Sequence, residues 1–210
     1  IDIVMNELDA LVNIDFTNRT IKPQLRSLSI FRFGTCGSLQ AHIPVDSFVA
    51  GSHGLGFDNV MHYYSEQCTK EETQMIDAFI AHTGLKGNVT PYIFTGSNEL
   101  LQHFSKGFYQ GITVGCPGFY GPQGRVLRLG LAYPGLIEKL TDFRFGNTFI
   151  SNFEMETSAI YGLGRALRHR CLSLNVIVAN RVLKQFSKDG AAAVENLIKA
   201  SLEIIAAHNL

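Results

Sequence analysis

Short apolar runs alternate with longer amphipathic segments along this chain, and the alternation restricts it to a small set of folds. The apolar runs that predict strands are residues 27–33, 45–50, 89–95, 111–114, 149–153 and 172–179. The segments in which apolar residues recur with helical spacing are 1–13, 70–82, 98–105, 157–167 and 190–207. Strands separated by helices are typical of α/β proteins with a parallel or mixed sheet covered on both faces. We therefore expect an α/β fold.

The composition argues against several classes of protein. The chain has 210 residues, of which 46% are hydrophobic, and this length suits one well-buried domain, which we expect to span residues 1–210. Its 18 basic and 18 acidic residues give a net charge of zero, without the basic excess typical of nucleic-acid binding. No apolar run reaches the ~18–20 residues that cross a bilayer. We expect neither a nucleic acid nor a membrane as partner.

The cysteines and the first residues carry two further expectations. Four widely spaced cysteines form no CxxC pair: Cys36, Cys68, Cys116 and Cys171. They are typical of reduced thiols in a cytoplasmic protein, and no signal peptide pattern is present. The chain opens at Ile1 inside a helical pattern that has no N-cap residue, so we expect it to be a piece of a longer polypeptide.

Polar residues follow four of the predicted strands, where ligands of open α/β sheets bind. These segments are 32–37, 115–125, 152–156 and 180–181. In the first, Arg32 and Thr35 accompany Gly34 and Gly37, and backbone N–H groups with these side chains could hold an anion. An ordinary glycine-containing turn explains the segment equally well. No Gly-Lys-Ser/Thr follows, so the segment is not a P-loop.

Residues 119–125 combine three recognition elements. Phe119 offers a stacking surface, Gln123 an amide that donates and accepts, and Arg125 a permanent cation. This set suits a flat heterocycle with carbonyl and N–H edges, such as uracil. The alternative is a solvent-exposed Gly-Pro loop, the commoner fate of such a composition.

Two carboxylates, Glu154 and Glu156, flank Met155 between a predicted strand and a predicted helix. Acids beside an apolar run are costly to bury unless a partner compensates the desolvation. The hydroxyls of a ribose could do so, because an ionised carboxylate only accepts hydrogen bonds. The commoner explanation of the segment alone is that both acids lie in the first turn of a helix, where the macrodipole favours them.

Motifs for other chemistry are missing from the sequence. The seven histidines do not cluster, and neither HExxH nor a paired His/Cys spacing occurs. No GxSxG elbow is present. The glycine-rich segments 51–56 and 162–164 are weak matches to a dinucleotide-binding motif. We expect no metal and no cofactor.

Taken together, three segments resemble the nucleoside phosphorylase superfamily. They are Arg-x-Gly-Thr-x-Gly at 32–37, Phe-Tyr-x-x-Gln-x-Arg at 119–125 and Asn-aromatic-Glu-Met-Glu at 152–156. The resemblance covers essentially the whole chain and implies a three-layer α/β/α fold with a mixed, strongly twisted central sheet. The pair Gln123 and Arg125, together with Asn180-Arg181, resembles the uridine branch of the family. The purine branch carries Ser-Asp in place of Asn180-Arg181.

The resemblance implies phosphorolysis of a nucleoside at a site for phosphate, ribose and base. Its residues would be Arg32 and Thr35 for phosphate; Thr35, Glu154, Met155 and Glu156 for ribose; and Phe119, Gln123, Arg125 and Arg181 for the base. Glu156, Arg32 and Arg125 would carry the catalysis. Phosphate is then a co-substrate, and neither cofactor nor catalytic metal is implied, although a monovalent cation at a subunit interface is compatible with the family. The family also implies a homo-oligomer, either a dimer or a hexamer built from dimers.

The sequence departs from the family pattern in its first part. It lacks a Gly-Asp-Pro-x-Arg phosphate loop, an N-terminal histidine and a second arginine that the family donates across a dimer interface. We expect roughly 80 residues to precede Ile1, judged from the usual size of the domain. Alternatives remain open: a purine nucleoside phosphorylase, a hydrolytic nucleosidase, or a nucleoside-binding protein without catalysis.

Overall fold

The structure is a computed structural model, and it describes residues 1–85, 87 and 89–210. The helices are α1 (Asp2–Asn13), α2 (Lys70–Thr83), α3 (Asn98–Leu101), α4 (Leu136–Asp142), α5 (Thr157–Ala166) and α6 (Gly190–His208). The strands are β1 (Ile14–Asp15), β2 (Thr20–Ile21), β3 (Ser29–Ser38), β4 (Phe48–Gly56), β5 (Tyr92–Thr95), β6 (Phe108–Gly115), β7 (Arg144–Phe145), β8 (Thr148–Glu154), β9 (Arg170–Asn180) and β10 (Gln185–Phe186). This alternation confirms the predicted α/β fold.

The central sheet is mixed and contains eight strands in the order β10-β9-β3-β8-β6-β4-β5, with β7 paired to β8. β3 runs parallel to β9, and β6 runs parallel to both β4 and β8, whereas β3–β8 and β4–β5 are antiparallel. The first residues of β4 also pair with β9, where Phe48 lies opposite Val176 and Ala50 opposite Leu174. This pairing closes β9, β3, β8, β6 and β4 into a ring, which the sequence did not predict.

Glycines lie inside two strands where the sequence predicted that the strands had ended. Residues 34–37, predicted to form a turn, belong to β3, and β4 continues from residue 50 to Gly56. The reason is close packing, which glycine permits in a strand. A Cβ atom on Gly54 would lie 2.7 Å from the Cα of Ser158 in α5. The glycines of β4 therefore let α5 pack directly on the sheet.

The ends of α2 agree with the sequence prediction for residues 70–82. The Thr69 hydroxyl accepts a hydrogen bond from the backbone N–H of Glu72, and the Glu72 carboxylate accepts one from the backbone N–H of Thr69. Gly84 follows the helix in the left-handed conformation, with φ of +69°. Reciprocal caps of this kind satisfy the free backbone groups at helix ends.

Helix α4 was missed by the sequence analysis. It has seven residues and follows a glycine- and proline-rich stretch, and its predecessor Gly135 has a φ of +79°. Its buried residue Leu140 joins the cluster that also contains Phe79 of α2 and Phe143. The rings of Phe79 and Phe143 lie 5.2 Å apart, edge to face. A short helix of this kind is stabilised by tertiary packing more than by its own propensity.

Helices cover the sheet in groups, and each group packs over its own apolar cluster. Helices α2 and α4 pack over the cluster around Leu55, Ile112 and Phe153. Helix α6 and the α3 region cover a second cluster, and α1 and α5 cover a third. Within the described part of the chain, we find no helix that combines the length and apolar character needed to cross a bilayer.

Candidate active site

One cavity gathers nearly all the residues that the sequence analysis singled out. It has a volume of about 280 Å³ and lies between β3, the 119–125 loop, the end of β8, and β9 with β10. Its lining residues are Arg32, Thr35, Cys36, Gly37, Phe119, Gln123, Arg125, Phe153, Glu154, Met155, Glu156, Val178, Ala179 and Phe186. Eight of these residues match the predicted site, and Arg181 is the one predicted residue that does not line the cavity. The three segments therefore converge in space although they are far apart in sequence.

The side chain of Arg32 extends along its own strand, β3, and reaches the carboxylates at the end of β8. Its Nη2 donates to Glu156 Oε2 at 2.5 Å and lies 3.2 Å from Glu154 Oε2. Its Nη1 donates to Asn175 Oδ1, also at 2.5 Å. Gly34 makes this path possible, because a Cβ atom there would lie 2.2 Å from Arg32 Nη1. The Arg-x-Gly spacing thus clears room for a guanidinium on the same face of β3.

Glu154 and Glu156 differ in environment. Glu154 is buried and accepts hydrogen bonds from the backbone N–H groups of Glu156, at 3.0 Å, and of Thr157, at 3.1 Å. Burial raises the pKa of Glu154 above its ordinary value, and the positive charge of Arg32 opposes that rise. The side chain of Glu156 remains 35% exposed. Neither acid lies in the first turn of α5, contrary to the helix explanation, because Glu154 ends β8 and α5 begins at Thr157. Glu154 instead accepts from the backbone N–H groups that precede and begin the helix, while Glu156 presents its carboxylate to the cavity.

The 119–125 loop places an amide and a cation in the cavity wall. Gln123 is only 3% exposed and ends a single 3₁₀ turn, Gly121–Gln123. Arg125 Nη1 donates to Gln123 Oε1 at 2.5 Å and to the Phe119 carbonyl at 2.7 Å. The Arg125 guanidinium lies 3.8 Å from the centre of the Phe119 ring. Gly124 follows with φ of +66°, a conformation that favours glycine.

Arg181 lies behind this wall. It lines a neighbouring apolar cavity of about 450 Å³, and its guanidinium is 5.6 Å from the ring centre of Phe153. Its Nη1 is buried without a hydrogen-bond partner. Desolvation lowers the pKa of Arg181 and of Arg125, and the charge of Arg181 lowers that of Arg125 further. Two poorly solvated cations therefore flank Phe153, an arrangement that favours hydrogen-bond acceptors in the cavity.

Sequence reasoning missed several residues of the site. Val178, Ala179 and Phe186 line the cavity, and Phe186 comes from the two-residue strand β10. Apolar wall residues of this kind carry no motif. Asn175 contacts Arg32 from the adjacent strand β9, and here a signal existed, because it is a lone amide in an otherwise apolar run.

The cavity contains a thiol but no cluster typical of a metal site. Burial raises the pKa of Cys36, and the nearby Glu154 carboxylate adds to the effect, so this cysteine is held as a neutral thiol. Among residues 1–85, 87 and 89–210, no group of three or more His, Cys, Asp or Glu side chains is placed to hold a metal ion. The chemistry available in the cavity is that of cations, carboxylates and amides.

A comparison with protein families decides the relationship. The profile of the phosphorylase superfamily matches residues 11–206. The chain belongs to the phosphorylase superfamily. No curated protein sequence matches it.

Solved structures place this superfamily member among nucleoside phosphorylases by fold. A nucleoside phosphorylase from Trypanosoma brucei, described as showing uridine phosphorylase activity, superposes with a TM-score of 0.85 at 26% identity, over 98% of this chain and 76% of that one. Isoform 2 of uridine phosphorylase from Schistosoma mansoni gives a TM-score of 0.63 at 19% identity, covering 99% and 68%. A uridine phosphorylase structure from Phytophthora capsici gives 0.55 at 20% identity, covering 95% and 71%. The last two show likeness of fold alone.

Proposed function

We propose that this phosphorylase-superfamily chain is a uridine phosphorylase, which converts uridine and phosphate to uracil and ribose 1-phosphate. One observation carries the proposal: the buried Gln123 and the half-buried Arg125 share a cavity with Arg32 and Glu156. An amide beside a cation suits the O2, N3 and O4 edge of uracil. The similarity to the Trypanosoma brucei enzyme, at 26% identity, supports the same assignment.

The reaction requires charge stabilisation at two ends of the cavity. A phosphate oxygen bonds to ribose C1′ as the C1′–N1 bond breaks, and the electron pair leaves with uracil, which receives the proton of phosphate at N1. Arg32 and Thr35 would hold the phosphate, while Gln123 and Arg125 would receive the charge that develops on the uracil oxygens. Arg181, whose buried Nη1 has no partner, would support the base from behind Phe153.

The ribose would lie between these ends. Glu156 presents a half-buried carboxylate that can accept hydrogen bonds from ribose hydroxyls, with Met155 and Glu154 beside it. Phe119 would pack against the sugar and base. Holding both reactants in line removes much of the entropic part of the barrier. No covalent nucleophile enters this mechanism, in keeping with the neutral thiol of Cys36.

The wider setting follows from the same family. The chain would act in pyrimidine salvage in the cytoplasm as a homo-oligomer, either a dimer or a hexamer built from dimers. The test of function is an assay of the full-length protein on uridine and inosine, with and without phosphate. We expect phosphate-dependent release of uracil and ribose 1-phosphate. Release of uracil without phosphate would indicate a nucleosidase, cleavage of inosine a purine enzyme, and no turnover a binding protein.

Gly34→Ala is expected to impair phosphate use far more than folding. The new Cβ would lie 2.2 Å from Arg32 Nη1 and 2.5 Å from its Cζ, so the guanidinium must leave its place. The backbone at Gly34 does not need the left-handed conformation, and the strand can therefore accept alanine. We expect the KM for phosphate to rise about 10-fold or more, because a charge-assisted contact is lost. Initial rates at saturating uridine and varied phosphate measure this.

Gly130→Ala is the matched control for this change, because a Cβ atom there would meet nothing within 4 Å. It should leave both KM values unchanged. A Gly34→Ala enzyme with the KM for phosphate of the parent protein would contradict the placement of Arg32 at the phosphate.

A further inference from the structure

The guanidinium of Arg32 needs a contact that is kept when the substrates bind. In the structure its Nη2 is engaged by Glu156 Oε2 at 2.5 Å, with Glu154 Oε2 at 3.2 Å. If Glu156 turns to ribose hydroxyls and Arg32 to phosphate, this ion pair must loosen. The hydrogen bond from Nη1 to Asn175 Oδ1, at 2.5 Å, is independent of both ligands. It can therefore fix the guanidinium while the other contacts exchange.

The chemistry of an amide suits that task. A carboxylate in place of Asn175 would neutralise Arg32 and repel a phosphate dianion, whereas an amide oxygen accepts a hydrogen bond without carrying a net charge. Asn175 therefore adds no further negative charge to the two carboxylates that already contact Arg32. The side chain of Arg32 is 16% exposed, so its positive charge is only weakly screened by solvent.

Asn175 is itself held rigidly. It is fully buried in β9, opposite Gly34 of β3, on the face over which Arg32 lies. Its Nδ2 donates to Ser173 Oγ at 3.2 Å, and Ser173 Oγ also accepts from Thr157 Oγ1 at 2.7 Å. Both ends of the amide are thus engaged, and a rotation of the side chain would break both bonds.

These contacts form a closed chain of polar groups across four elements, β3, β8, β9 and α5. The backbone N–H of Thr157 donates to Glu154 at 3.1 Å, and Glu154 lies 3.2 Å from Arg32. The chain therefore runs from Arg32 through Asn175, Ser173, Thr157 and Glu154 back to Arg32. All members except Arg32 are buried. Buried networks that are fully satisfied hold their members in one arrangement.

We propose that Asn175 is the positioning residue that holds Arg32 in place for phosphate binding. The inference rests on the proposed function, in which Arg32 contacts phosphate. Asn175 itself touches neither substrate, since it does not line the cavity. Its removal should therefore weaken the use of phosphate and leave the recognition of the nucleoside largely intact.

Asn175→Ala tests this through the separate KM values of the two substrates. We expect the KM for phosphate to rise roughly 10- to 100-fold and the KM for uridine to stay within about twofold, as for loss of one hydrogen bond to a charged group. Asn13→Ala is the control, because Asn13 is also a buried asparagine that makes side-chain hydrogen bonds, in α1 and outside the cavity. It should leave both KM values unchanged.

Asn175→Asp keeps the volume and the acceptor but adds a charge. A crystal structure of this variant should show Arg32 in place, while its KM for phosphate rises because the guanidinium is neutralised. A crystal structure of Asn175→Ala should show Arg32 displaced. The two variants separate displacement of the Arg32 guanidinium from neutralisation of its charge. If the alanine variant does not fold, the aspartate variant still tests the proposal.

The outcomes for this inference and for the proposed function are distinguishable. If the parent protein phosphorolyses uridine and Asn175→Ala keeps the parent KM for phosphate, the inference is overturned and the function stands. If the parent protein turns over no nucleoside, the proposed function fails. In that case Arg32 remaining in place in the crystal structure of Asn175→Ala would overturn the positioning role on its own.

Discussion

Replacing Gln123 or Arg125 by alanine is expected to abolish most of the turnover of uridine while the protein stays folded. Both side chains line the cavity, and Arg125 is the one cationic residue of the 119–125 loop. Removal of one donor that stabilises developing charge typically lowers kcat by about 10²- to 10³-fold. We therefore expect a fall of that size in kcat/KM for uridine, measured from initial rates of uracil release.

Two exposed residues provide matched controls for these changes. Arg128→Ala removes an arginine from the same region, and Gln102→Ala removes a glutamine outside the cavity; both side chains are exposed. Neither change should alter kcat/KM, and thermal unfolding should show all four variants to be folded. Kinetics close to those of the parent protein in Gln123→Ala or Arg125→Ala would refute the assignment of base recognition.

The sequence predicted the element types well because each long element carries its own pattern. The apolar face of α2 and its Thr69–Glu72 cap are local signals, and the structure contains both. The run at 172–179 is a buried strand, as its continuous apolar character indicates. Helix α4 and the two-residue strands have no such pattern, because their stability comes from neighbours that are distant in sequence.

The ring of strands could not be predicted from the sequence, for a related reason. Closure depends on the pairing of Phe48 and Ala50 with Val176 and Leu174, residues more than a hundred positions apart. Apolar patterns indicate which residues are buried, but they do not indicate which strands pair with each other. The glycines do not predict where β3 and β4 end, because turns and close packing both favour glycine. Only the position of α5 shows that Gly54 serves close packing.

The site was more predictable than the topology. Its motifs combine residue types that are costly to bury together, and the structure brings eight of the nine predicted residues to one cavity. Arg181 was grouped with them because Asn180-Arg181 resembles the uridine branch of the family, yet its side chain lies behind Phe153. Asn175 was overlooked although an amide in an apolar run is a signal, because that signal does not name the residue that the amide contacts, Arg32.

Glu72→Ala is expected to destabilise the fold strongly without touching the cavity. The Glu72 carboxylate is buried and receives both Nη1 of Arg165, at 2.7 Å, and Nη2, at 2.5 Å. It also accepts from the backbone N–H of Thr69 and from the N–H and hydroxyl of Thr95, each at 2.7 Å. Removing one partner of a buried pair typically costs about 3–5 kcal/mol. We expect the lower end of that range, because Arg165 keeps some contact with solvent.

The same network predicts a pH dependence of stability. Burial acts to raise the pKa of Glu72, but the hydrogen bonds from Arg165, Thr69 and Thr95 outweigh it and lower the pKa to about 2. Since the folded pKa lies below the unfolded value, the stabilisation is complete above the ordinary carboxyl range and is lost as pH falls through about 2. Urea unfolding of Glu72→Gln across this range should show a shallower loss of stability with acid than the parent protein. Glu71→Gln, an exposed acid in the same turn, should follow the parent curve, and a Glu72→Gln protein that also follows it would show that this carboxylate does not anchor α2 to α5.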